Sequence, residues 1–288
     1  MVWRFYDPKE IEQMDKKGGH FKNKKLCQEN KNTADLAAFS IMKALAKSNK
    51  YEHILQYRKD PRIINKLGPN FKVKLTFGLH QGWAIEGAIG SFFKIDASYL
   101  SPNVNMASRL CAATKQFGCD FLLSGDMHDI LSDGFQSQFL EIDKVTVKGS
   151  IKPIRMYTCV LDLDGLKPEG DKMLKVDMKI KKALRMQARD TLLSEIDAQE
   201  STTLDLLKTD IDFREMRRNH SQEVEDRFKE GYQAYLSGDW STCGSIMDEL
   251  VAQNPKHGPI KNLHKIVCIN HGKRAPSDWK GYRALTSK

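Results

Sequence analysis

Apolar positions recur at two periods along the first half of the chain. Between Thr33 and Lys47 the residues Leu36, Phe39, Ile41, Met42 and Leu45 fall at helical spacing. Asn32 or Thr33 is the expected N-cap of that helix. Phe71, Val73, Leu75 and Phe77 alternate with Lys72, Lys74 and Thr76, the pattern of a half-buried strand. A second strand is expected around Trp83-Ala84-Ile85, joined to the first by a tight turn rich in glycine (Gly78, Gly82, Gly87, Gly90). Val104 to Phe117 returns to the helical period. Phe121–Leu123, Phe139–Ile142, Val145–Val147 and Ile154–Val160 then read as short strands, with a short helix from Met127 to Leu131. At the start, Val2 to Tyr6 reads as a strand stopped by Asp7-Pro8. Residues 8–32 are polar and lysine-rich around Gly18-Gly19 and read as a loop or insertion. Interleaved strands and helices over residues 1–162 predict an α/β or α+β domain.

The pattern changes after Asp162-Leu163-Asp164-Gly165. Residues 171–189 carry seven Lys/Arg against two Asp, with apolar residues at helical spacing. They read as a basic amphipathic helix, most simply a linker helix with a solvated face. Residues 190–215 are polar and read as a connector, so 163–217 forms a linking segment. Residues 218–288 read as a small all-α domain. One helix carries Val224, Phe228, Tyr232, Tyr235 and Leu236, and another runs from Trp240 to Ala252. A third begins at Ile260. Tyr235-Leu-x-Gly-Asp-Trp240 before the second helix resembles one tetratricopeptide-type hairpin, without a second copy. Trp279 and Tyr282 are expected to dock the tail back.

Composition narrows the function classes. The 288 residues carry 46 Lys+Arg against 37 Asp+Glu, a net charge of +9, which favours anionic partners without singling out nucleic acid. No uncharged apolar run is long enough to span a bilayer. The first residues lack a secretory pattern. The six cysteines form no C-x-x-C pair, and no Cys/His cluster has zinc spacing along the sequence, so reduced thiols in a cytoplasmic setting and no metal ligands are expected.

Three stretches carry a resemblance. They are Phe77-Gly-Leu-His-Gln-Gly-Trp-Ala-Ile-Glu-Gly-Ala-Ile-Gly90, Lys94-Ile-Asp-Ala-Ser-Tyr-Leu-Ser-Pro-Asn-Val-Asn-Met-Ala-Ser-Arg109, and Val145-Thr-Val-Lys-Gly149 followed by Pro153-Ile-Arg-Met-Tyr157. In register they resemble the C-terminal part of the class III adenylate/guanylate cyclase catalytic domain, most closely that of large protist adenylyl cyclases. The resemblance runs through residues 1–6 and about 33–162, and residues 220–288 resemble the helical tail of those proteins. It implies an incomplete ferredoxin-like domain, mostly antiparallel sheet with helices. It also implies an intracellular, ciliary or submembrane setting.

The resemblance assigns roles residue by residue. Arg109 would stabilise the pentavalent phosphate as the ribose 3′-hydroxyl attacks, and Asn105 would position the ribose. Lys148 would hold the terminal phosphates, and Ser98 falls where the family reads the purine. His80 belongs to the Gly-x-His-x-Gly turn and is expected to be a satisfied turn histidine. Glu86 and Asp96 are expected to be structural, and Phe92 and Phe93 to serve core or interface. The family's two metal-binding aspartates have no counterpart here, because Met1 to Phe5 matches the strand that follows them. This predicts a chain that binds no metal alone and is inactive alone. Mg or Mn with ATP would enter only if a partner supplied the aspartates. Two readings follow: a pseudoenzyme interaction or scaffold subunit, or the complementary half of a heteromeric adenylyl cyclase. Either needs a protein partner, which covers the incomplete sheet or completes a cyclase-domain dimer.

Overall fold

The computed structural model describes residues 1–7, 20–147, 152–170, 177–198 and 202–285. The first helices are α1 (His20–Lys50), α2 (Glu52–Leu55) and α3 (Pro61–Leu67). Then come β1 (Phe77–Leu79), β2 (Ile85–Ser91), β3 (Lys94–Leu100), α4 (Pro102–Phe117) and β4 (Phe121–Ser124). The short helices α5 (Gly125–His128) and α6 (Asp133–Gln136) precede β5 (Leu140–Thr146) and β6 (Ile154–Thr158). The remaining helices are α7 (Met178–Asp197), α8 (Thr203–Thr209), α9 (Ile211–Met216), α10 (Gln222–Ser237), α11 (Trp240–Gln253) and α12 (Gly258–His264). A π-helical turn, Lys265–Asn270, and β7 (Arg283–Ala284) complete the order. The result is a mixed α+β architecture, divided into two compact units. One comprises Met1–Leu75 with Leu161–Asn219, the other Thr76–Val160 with His220–Lys288.

The first unit is helical. α1 buries Ala34, Ala37, Ala38, Ile41, Met42, Leu45 and Ala46, and contacts α8 and α9. Its polar flank is tied by charge: Lys43 Nζ lies 2.7 Å from Asp210 Oδ2, and Lys50 Nζ 2.7 Å from Asp212 Oδ1. The buried Asp35 accepts from the Thr203 hydroxyl at 2.6 Å. The helix starts at His20, so neither Asn32 nor Thr33 caps it, and 20–32 is helix where a loop was expected. Lys, Gln and Glu in this stretch are good helix formers without any apolar period, so the pattern alone did not reveal them. Residues 8–19 lie outside the described residues. Residues 190–215 are likewise not a plain connector: α7 runs to Asp197, and Thr202 and Asp205 form a reciprocal capping box that starts α8. Val2 to Tyr6 is not a strand, and Val2 is exposed.

The second unit holds the sheet. Its five strands run in the order β1-β4-β6-β5-β7, with β1/β4 and β5/β7 parallel and β4/β6 and β6/β5 antiparallel. The strand expected over 71–77 is confined to Phe77–Leu79. Phe71 and Val73 are half-buried, but their backbone joins no ladder. The two short strands expected at 139–142 and 145–147 are one strand, β5, with a bulge between Glu141 and Asp143. Leu110, Ala113 and Phe117 of α4 share one core with Leu122, Leu140, Ile142, Val145 and Met156 of the sheet. Phe228, Tyr232, Trp240, Met247 and Ile260 of the C-terminal helices belong to the same core. The tail therefore packs on the sheet and does not keep a separate core. Trp279 docks as expected. Its ring lies 4.9 Å from Tyr235 and 5.0 Å from Trp240, and its Nε1–H donates to the Tyr235 carbonyl at 3.0 Å.

Polar groups stitch this core. Tyr157 and Tyr232 donate to the two oxygens of Glu141 at 2.9 and 3.1 Å. Burial and then the Glu141 charge push both phenols far above the ordinary range, which keeps them protonated donors. No helix among the described residues is long and apolar enough to cross a membrane.

Candidate functional site

The site is built around the N-terminus of α4. Ser101 caps this helix: its Oγ accepts from the Asn103 backbone N–H at 2.9 Å and donates to the Trp83 carbonyl at 2.6 Å. Pro102 follows in the first turn, and Gly118 closes the helix in the left-handed region at φ 63°. The Asn103 side-chain amide donates to the same Trp83 carbonyl at 2.9 Å, which leaves its Oδ1 as an acceptor. His80 Nε2 lies 3.3 Å from that oxygen, and His80 Nδ1 lies 2.8 Å from Ser124 Oγ. The partners assign the tautomer. Nε2–H donates to Asn103, and Nδ1 accepts from the Ser124 hydroxyl. Burial holds the His80 imidazole below its ordinary pKa, so it is neutral near pH 7. His80 is thus a satisfied turn histidine, as expected, and it locks the β1–β2 turn to the starts of α4 and α5.

Close backbone packing sets the height of α4 over the sheet. A Cβ on Gly78 would lie 2.4 Å from both the Ala107 carbonyl oxygen and the Cys111 nitrogen. A Cβ on Gly82 would meet the Asn103 side chain at 2.2 Å. Both glycines are needed for space, and neither has a positive φ.

On this frame Asn105 and Arg109 stand four residues apart on α4, and both are exposed. Four residues rise about 6 Å and return to one helix face. Ser98 is half-buried in β3, opposite Gly87 of β2. Lys148 lies outside the described residues. The structure thus brings Asn105 and Arg109 to one open face, with Ser98 on the strand that leads into the same helix.

β2 and β3 form a two-stranded antiparallel arm, apart from the five-stranded sheet, with Phe92 and Phe93 at its tip. Phe92 is 98% exposed and Phe93 94%. Trp83, Ile85, Ile89, Ile95 and Leu100 are exposed along the arm, and Val104 continues the apolar surface onto α4. Phe92 and Phe93 are therefore not core residues of this chain, and of the two expectations only the interface role is left open to them. Chemically, the guanidinium can clamp a phosphate through two N–H donors, and the carboxamide can hold a hydroxyl. An open helix face leaves both in water, where such contacts are weak.

Sequence reasoning missed Ser124, the hydroxyl that orients His80. The signal was present: Ser-Gly-Asp directly after the apolar run Phe121–Leu123 is a helix-start pattern, and Ser124 does cap α5.

No protein-family model matches the chain. Over 87 residues, or 30% of this chain and 17% of the relative, it is 33% identical to an adenylate cyclase of Anabaena cylindrica. Two solved structures of a bacterial light-regulated adenylyl cyclase align at 32% and 30% identity. Each alignment covers 28% of this chain and 22% of the other, with TM-scores of 0.25 and 0.24. The chain thus spans about a fifth of the length of the proteins it matches. The likeness to adenylate cyclases is one of sequence, confined to less than a third of this chain.

Proposed function

We propose that this chain is a cyclase-homology subunit that acts only together with a second protein chain. The sheet with α4 is then an incomplete ferredoxin-like class III cyclase domain, and the chain serves as an interaction or scaffold subunit in cyclic-nucleotide signalling. Asn105, Arg109, Lys148 and Ser98 are what it retains of a nucleotide site.

The observation that carries this reading is the open face of α4 beside a bare apolar arm. Two exposed side chains cannot enclose a triphosphate or exclude water from it, and enclosure is what makes electrostatic stabilisation effective. Exposed phenylalanines at a strand turn are costly in water and gain when another surface covers them. Both features are answered by a protein seated on the arm.

A second reading keeps the chemistry: with a partner, the chain is one half of a heteromeric adenylyl cyclase that converts ATP to cyclic AMP. The pairing of Asn105 and Arg109 on one helix face favours it. Mg or Mn with ATP would then enter on carboxylates of the partner.

The native complex, isolated and assayed for cyclic AMP and cyclic GMP on the same sample, decides between them. The first reading expects partners and no cyclic nucleotide above background. Production abolished by Arg109→Ala replaces it with the second.

A further inference from the structure

Far from α4 in the chain, α11 faces α12 and the π-helical turn. Asp248 of α11, His264 at the end of α12 and Cys268 inside the π turn point their polar atoms together. His264 Nε2 lies 2.8 Å from Asp248 Oδ1. One ligand atom from each of the three residues lies within 4.8 Å of both others. We propose that Asp248, His264 and Cys268 bind a divalent transition-metal cation of the zinc class.

The ligand set selects the ion. A thiolate, an imidazole and a carboxylate are the three donor types of zinc sites, whereas Mg and Ca take oxygen ligands. Zinc–ligand bonds of about 2.0–2.3 Å place tetrahedral ligand atoms roughly 3.3–3.8 Å apart, so the His264–Asp248 hydrogen bond at 2.8 Å must open and the other pairs, within 4.8 Å, adjust to that spacing. The thiolate and carboxylate together neutralise a dication. Three protein ligands leave a fourth position for water.

The backbone offers a second, independent sign. Residues 265–270 adopt a π-helix, a rare form that appears mostly as single-turn bulges and frequently at functional sites. It carries Cys268 four residues beyond His264, one turn on along the same side of the helix.

Lys273 is the counterargument and also the handle. Its Nζ lies 2.6 Å from Asp248 Oδ2. Its stem covers Gly244, where an added Cβ would lie 2.6 Å from Lys273 Cγ. Its φ of 63° is the one positive value at a non-glycine among the described residues. The ammonium neutralises Asp248 in the metal-free chain and competes with a cation for it. No zinc pattern is visible along the sequence because Asp248 comes from a different helix.

The test is titration of the reduced full chain with Co²⁺, followed by displacement with Zn²⁺. A single equivalent should give a thiolate-to-cobalt charge-transfer band, bleached by zinc. Cys268→Ser should abolish the band, and His264→Asn should weaken binding. Lys273→Met should tighten it severalfold, because it removes the ammonium that competes for Asp248. Absence of the band, a band that survives Cys268→Ser, or weaker binding in Lys273→Met would overturn the proposal.

Discussion

Arg283 Nε donates to Asp143 Oδ2 at 2.7 Å, and Asp143 is fully buried. The pair ties β7 to the bulged strand β5, and Tyr235 adds a hydrogen bond to the other oxygen at 3.4 Å. Burial pushes the Asp143 carboxyl upward against the pull of Arg283, so the guanidinium is what makes a buried charge tolerable here. Arg283→Ala should destabilise the protein by about 3–5 kcal/mol, as removing one partner of a buried pair does. Urea unfolding measures this. Asp143→Asn combined with Arg283→Met should recover much of the loss. A loss below about 1 kcal/mol for Arg283→Ala would show that the pair is solvated.

The neutral His80 gives a pH dependence of known sign. Its folded pKa lies below the unfolded value near 6.5, so the unfolded chain binds the proton more readily. Its contribution to stability is fully present above about pH 6.5 and falls as the pH drops from there through the folded value. His128, also depressed by burial and stacked on Tyr157 at 3.9 Å, acts in the same direction. Thermal midpoints of wild type and His80→Gln between pH 5 and 8 should therefore converge at the acid end. Parallel curves would contradict the assignment.

Gly78 sets the position of α4. Gly78→Ala would drive a methyl into backbone atoms at 2.4 Å, which must shift. The expected cost is about 1–3 kcal/mol, with α4 displaced from β1. Gly87 has open space at its Cβ, so Gly87→Ala is the matched control and should be near neutral. Equal effects from the two would remove the packing argument.

The arm predicts an association without a folding penalty. Phe92→Glu with Phe93→Glu touches no core residue, so the change in unfolding free energy should stay within about 0.5 kcal/mol. The wild-type chain alone should self-associate with rising concentration in sedimentation velocity, and the double variant should not. A midpoint drop typical of core substitutions would mean that the arm folds onto the chain.

The parts of the fold legible in the sequence were those whose pattern also reported burial. The helical period from Val104 to Phe117 announced α4, which starts two residues earlier at Pro102, behind the Ser101 cap. Phe121–Leu123 is buried on both faces and reads as a continuous apolar run. Patterns failed where local alternation lacked a pairing strand, as at Val2–Tyr6 and Phe71–Leu75. They also failed where helix came from propensity alone, as at 20–32. At the candidate site, Asn105 and Arg109 were visible as a motif. The hydrogen-bond chain from Ser124 through His80 to Asn103 spans residues 44 apart in sequence and no linear spacing contains it.

We propose above that this chain works only through a partner. The most direct measurement is a cyclase assay of the purified full chain alone, with Mn²⁺ and either ATP or GTP. The expected result is no cyclic nucleotide above the blank at any protein concentration. Product that scales with the chain and disappears in Arg109→Ala would contradict it.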